Sequence, residues 1–134
     1  MKKLVNDWII LAEKDVKAAS LIINEEYLAN IVAFHCQQAI EKYFKAYILE
    51  YNKPLLKIHD LPKLYGIIKE IKDLEIDEDL LSVINETYIE DRYPGELGLL
   101  PDGMPSNEQA HNFLDFTKTI EEKIRNELDK EISE

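Results

Sequence analysis

One cysteine, Cys36, is the only thiol in the chain, so no internal disulfide staples it and nothing in its composition asks for an oxidising compartment. Long apolar runs are missing too. No stretch approaches the roughly 20 residues that would span a bilayer, and the start MKKLVNDW is too polar after its short basic stretch for a signal peptide. A cytoplasmic protein without membrane contact is expected. Glycine occurs four times and never as G-x-x-x-x-G-K-[ST] or G-x-G-x-x-G, which excludes the usual phosphate-cradling loops. No serine sits in a nucleophile elbow, and Cys36 has no base at a recognisable local spacing. Glu108-Gln109-Ala110-His111 is a single Glu-x-x-His pair, whereas a di-metal bundle needs two. No catalytic residue, metal site or cofactor is therefore read from motifs. Positive charge is scarce as well: 16 Lys plus Arg face 27 Asp plus Glu, a net charge of -11 that repels polyanions. Autonomous nucleic-acid binding is not expected.

What is present is helix-forming sequence. At 134 residues the chain is one domain, able to bury roughly two thirds of its unfolded surface around a single core. The stretch from Val32 to Glu50 organises the rest. Its apolar side chains (Val32, Ala33, Cys36, Ala39, Ile40, Tyr43, Phe44, Ala46, Tyr47) fill well over half of a helical circumference, the mark of a central helix covered on several sides. The remaining sector holds His35, Gln37, Gln38, Glu41, Lys42 and Lys45. Apolar residues return to it at both ends, with Ile31 and Phe34 before and Ile48 and Leu49 after. Such an enclosed polar patch fits a solvated window, a polar seam between proteins or a binding site.

In chain order, a first helix is predicted from about Lys3 to Asn24, with Leu4, Trp8, Leu11, Ala12, Ala19, Ile22 and Ile23 as its stripe. Asp15 falls inside that stripe. A buried carboxylate costs several kcal/mol unless partnered, so Asp15 needs a designated partner. The short break at Asn24-Glu25-Glu26 makes the first two helices antiparallel and brings Asp15 level with His35 and Gln38. The central helix should end before Pro54. Asp60 is the N-cap of a third, short helix with Pro62 in its first turn and Leu61, Leu64, Tyr65, Ile68 and Ile71 on one face. Asp77, Glu78 and Asp79 open a fourth, carrying Leu80, Leu81, Ile84, Thr87 and Tyr88 and ending at Pro94. A glycine- and proline-rich loop follows. Ser106 to Gln109 has capping-box form, and Ala110, Phe113, Leu114, Thr117, Ile120, Ile124 and Leu128 form the stripe of a last helix. Glu121 and Arg125 stand four apart on its outer side. The fold class is all-α, an up-and-down antiparallel bundle of four to five helices spanning residues 1–134.

Four blocks carry a resemblance: A-E-K-D from Ala12 to Asp15 with Ala18 after it, F-H-C-Q-Q-A-I-E-K-Y-F-K-A from Phe34 to Ala46, H-D-L-P-K-L from His59 to Leu64, and E-D-R-Y-P from Glu90 to Pro94. In this order the chain resembles the HEPN domain, the higher-eukaryote and prokaryote nucleotide-binding fold, in its small stand-alone prokaryotic type. The resemblance covers nearly the whole chain, and the QQAIEK-x-x-KA block is its most specific part. It implies a helical bundle, a homodimer and a separately encoded minimal nucleotidyltransferase partner, a toxin-antitoxin-like arrangement. Ribonuclease members of the family carry R-x4-6-H near the end of the fourth helix. Here Arg92 is followed at those positions by Leu97, Gly98 and Leu99, and the next histidine is His111. The arginine carries over and the catalytic histidine does not.

The reading is a non-catalytic nucleotide- and partner-binding module. Its binding residues are Gln38, Lys42, Lys45, His59, Arg92 and Tyr93, and Asp15, His35, Glu41 and Asp91 form a structural polar cluster. The alternative is a metal-independent endoribonuclease in which His35, His59 or His111 stands in for the missing histidine.

Overall fold

The computed structural model describes residues 2–54, 57–92 and 104–133, with side chains described up to Thr87 in the fourth helix and Lys130 in the last. These residues form five helices and, among themselves, no strand: α1 (Lys3–Ile22), α2 (Ala29–Glu50), α3 (Leu61–Ile71), α4 (Glu78–Arg92) and α5 (Asn107–Ser133). No described helix is long and apolar enough to cross a membrane. The all-α bundle expected from periodicity is what the chain forms.

Three of the helix starts follow from their caps. The Asp60 carboxylate accepts the Lys63 amide at 3.0 Å, and that of Asp77 accepts the Leu80 amide at 3.1 Å. At α5 the box is reciprocal, the Gln109 amide reaching Ser106 Oγ at 3.0 Å while the Ser106 amide reaches Gln109 Oε1 at 2.8 Å. Each cap supplies acceptors for amides that have no intrahelical partner, typically worth about 1 kcal/mol.

α2 packs against all four other helices, and within it only Ile31 is exposed. Tyr43, Phe44 and Tyr47 are fully buried in the core together with Ile40 and Ala39. The wide apolar surface of this helix is thus covered inside one chain. The break between the first two helices is longer than the expected Asn24-Glu25-Glu26: α1 ends at Ile22 and α2 begins at Ala29, after a single 3-10 turn at Glu26–Leu28.

The buried stripe of α1 is Val5, Ile9, Ala12, Val16 and Ala19, with Asp15 among them. Leu4 and Leu11, expected in that stripe, are 53% and 44% exposed. The stripe is rotated because Val5, Ile9 and Val16 set its centre, and Ala12 and Ala19 let the α2 backbone approach closely. Trp8 stays at its edge, partly buried.

The chain doubles back after α2. Asn52 takes a left-handed conformation (φ 58°), which asparagine tolerates, and the Lys2 ammonium bonds its side chain and the Leu49 carbonyl. The returning segment sets the His59 carbonyl 3.2 Å from Gln37 Nε2, in the middle of α2. α3 therefore lies back along α2 in the same sense, with Tyr65 stacked on Phe44 at 5.8 Å. Direction alternates at α1–α2 and again at α3–α4, where Lys69 meets Glu78 across the turn and Asn85 Oδ1 accepts the Leu61 amide at the other end. The turn at residues 72–77 hangs on the Tyr65 hydroxyl, which donates to Asp73 and accepts the Leu74 amide at 3.1 Å.

Glu121 and Arg125 do not pair as their spacing suggested. The Tyr43 hydroxyl donates to Glu121, and Arg125 reaches Glu13 on α1 at 3.1 Å. Each takes a partner on another helix instead, and burial together with the Glu121 carboxylate pushes the Tyr43 hydroxyl far up from its ordinary pKa.

Candidate functional site

The polar sector of α2 resolves into two clusters, each built on one carboxylate. In the first, Asp15 reaches across from α1 between His35 and Lys42, which stand two turns apart on α2. His35 Nδ1–H donates to Asp15 Oδ1 at 2.9 Å, and Lys42 Nζ donates to Oδ2 at 2.5 Å. Each carboxylate oxygen has its own donor, so the partner demanded by the sequence is found twice. Asp15 is buried, whereas His35 and Lys42 keep a quarter and a fifth of their side chains exposed. Phe34 packs edge-on against the His35 ring at 5.2 Å.

The second cluster is deeper. Glu41 is buried, and its Oε2 accepts from Lys45 Nζ at 2.9 Å and from His59 Nδ1–H at 3.1 Å. Gln37, fully buried, donates to Glu41 Oε1 at 3.3 Å and to the His59 carbonyl at 3.2 Å. Its own oxygen accepts from Gln38 Nε2 at 2.7 Å. Lys45 Nζ also lies 5.5 Å from the centre of the Trp8 ring, a cation–π contact that helps offset its desolvation. A buried carboxylate held by this many donors has its desolvation offset by them, and losing one of them would not be neutral.

The outcome of that network is an imidazole with an anchored back and an open front. The His59 side chain is 70% exposed while its Nδ1 is fixed to a carboxylate that is only 7% exposed. The Nδ1 tether leaves Nε2 as the acceptor of the neutral ring, available to a proton or a hydrogen-bond donor.

Several expectations change here. Lys45 was expected to offer its charge to a ligand, but it is buried and spent on Glu41 and Trp8. Its wheel position is polar, yet the neighbours on α1 close over it. Glu41, expected beside Asp15 and His35, belongs with His59 instead. Gln38 and Lys42 remain partly exposed on one line of α2. Asp91 and Arg92 lie in the last turn of α4 with side chains outside the described residues, and Tyr93 lies outside them altogether. Gln37 and Trp8 entered the sequence reading only as members of the polar sector and of the first helix's stripe, not as site residues. A glutamine four residues before a glutamate on a mostly apolar helix was the available signal for Gln37.

The remaining candidates are structural. Cys36 is 1% exposed, and burial pushes its thiol up to about 11, so it is a poor nucleophile. His111 Nδ1–H donates to the Asn107 carbonyl at 2.9 Å within its own helix. Among the described residues, no three His, Cys, Asp or Glu side chains converge as a metal would require.

The described residues thus form a five-helix bundle with two carboxylate-anchored polar clusters on its central helix. The HEPN domain model matches residues 5–127 of the 134, and the chain belongs to that family. No curated protein and no solved structure matches the chain.

Proposed function

We propose that the chain is a non-catalytic HEPN module of the cytoplasm that binds a nucleotide and a separately encoded minimal nucleotidyltransferase, and that it works as a homodimer. The observation that carries this reading is His59, an exposed ring whose Nδ1 is fixed to buried Glu41 and whose carbonyl is linked through Gln37 to partly exposed Gln38. A fixed imidazole and an amide suit hydrogen bonding to a nucleotide, and Lys42 and Arg92 are the cations proposed to meet its phosphates. Tyr93 is the proposed aromatic neighbour. The missing histidine after Arg92 speaks for binding over cleavage. Calorimetric titration with ATP tests the reading: micromolar binding that weakens in His59→Ala and Arg92→Ala supports it, and absence of heat at millimolar ATP rejects the nucleotide.

One feature favours the ribonuclease as a second reading. An imidazole oriented by a carboxylate is the form in which histidine serves as a general acid or base. In that case His59 would take the role of the histidine that Arg92 lacks.

A further inference from the structure

The end of the bundle where α1 turns into α2 carries an open groove of about 470 Å³, lined among others by Tyr27, Leu28, Ile31, Met104 and Pro105 with Glu26 on its rim. Nothing in the proposed nucleotide site uses it. Tyr27 is 94% exposed, Met104 50% and Ile31 37%. Tyr and Met are enriched at protein-protein interfaces, and here both are exposed beside Ile31.

Charge indicates the occupant. From residue 18 to residue 41 the sequence has no Lys or Arg, and residues 104–117 have none either. Those stretches supply the described groove walls; Glu26 lines the groove, and Glu25, the residue before it, is exposed as well. Among the described residues that line it, the groove is thus an apolar slot with the Glu26 carboxylate and no Lys or Arg. A second copy of this chain meets it poorly, since a twofold contact would set Glu25 and Glu26 against their own images. Nucleic acid is repelled for the same reason.

We infer that this groove docks a cationic amphipathic segment of a partner polypeptide, with an aliphatic or aromatic side chain seated against Tyr27, Ile31 and Met104 and Lys or Arg residues meeting Glu25 and Glu26. The slot has the size of a cleft that takes a few anchoring side chains, and helix-in-groove recognition works through such anchors.

The probe is a fluorescently labelled synthetic Leu/Lys amphipathic helix of roughly four turns, compared with its Leu/Glu counterpart by anisotropy. Saturable binding of the Leu/Lys peptide is expected, with none of the Leu/Glu peptide. Tyr27→Ala should weaken it about tenfold, as loss of an interface anchor does, and Glu25→Gln with Glu26→Gln should weaken it and flatten its salt dependence. Both sites are exposed, and an unchanged melting curve verifies that the variants fold. Equal affinity of Tyr27→Ala and the unaltered chain would show attraction by charge alone and overturn the proposal, as would equal binding of both peptides or no binding. Sedimentation without peptide covers the remaining occupant: self-association abolished by Tyr27→Ala would assign the groove to a second copy.

Discussion

Glu41 and His59 meet across the gap between α2 and the entry to α3, a buried carboxylate gripping an exposed ring at 3.1 Å. The two ends of that bond should respond differently to substitution. His59→Ala removes a mostly solvated side chain and should cost under about 1 kcal/mol. Glu41→Ala strands Lys45 in the core and should cost about 3–5 kcal/mol. Urea denaturation of both variants checks the asymmetry, and equal losses would mean that the network does not bury Lys45 as described.

Asp15→Ala leaves two donors, His35 and Lys42, without their acceptor. A loss of about 2 kcal/mol is expected, with both donors partly exposed and able to recover water. Asp15→Asn keeps an acceptor and should lose less. A melting curve for Asp15→Ala that overlays the unaltered protein would contradict the burial of this carboxylate.

Tyr65→Phe keeps the stack on Phe44 but removes the oxygen that accepts the Leu74 amide. The expected cost is about 1–3 kcal/mol for amides left short of a partner. Hydrogen exchange should accelerate first at Leu74 and Ile76, whose amides both point at that oxygen.

Alkali should weaken the fold from pH 9 upward. The Cys36 thiol rises from 9.0 to about 11 on folding, so the unfolded chain releases its proton first. The contribution is complete below pH 9 and lost as the pH climbs toward 11, at about 1.4 kcal/mol per unit. Above pH 10 the raised Tyr43 and Tyr65 hydroxyls act in the same direction. Cys36→Ala should flatten the slope between pH 9 and 11, leaving above pH 10 the part due to the tyrosines.

Purified protein should leave mixed RNA intact at physiological salt, given the missing histidine after Arg92 and the net charge of -11. Cleavage that disappears in both Arg92→Ala and His59→Ala would promote the ribonuclease reading.

How much of this was legible depended on the range of the interaction. Caps at Asp60, Asp77 and Ser106 are fixed by residues three apart, and they read directly. Asp15 was also legible, because a carboxylate in an apolar stripe demands a partner and the short turn fixes which residues are level with it. Lys45 was not: Trp8, 37 positions away in sequence, decides its burial. The same holds for Arg125, whose partner Glu13 lies on the first helix while helical spacing offered Glu121. Leu4 and Leu11 misled because leucine suits either face, and only the packing of Val5, Ile9 and Val16 on α2 set the rotation.

The contacts of α2 also differ in when they become available. Its α1 side closes through neighbours such as Asp15 and His35, 20 positions apart, whereas its α5 side waits for Glu121 to meet Tyr43, 78 positions later. On the ribosome, the hairpin of the first two helices can form as soon as it emerges, but Tyr43 and its neighbours stay uncovered on one flank until the last helix is made. A message truncated within α5 would therefore yield a chain with its central helix bare on that side, a substrate for chaperones and proteases.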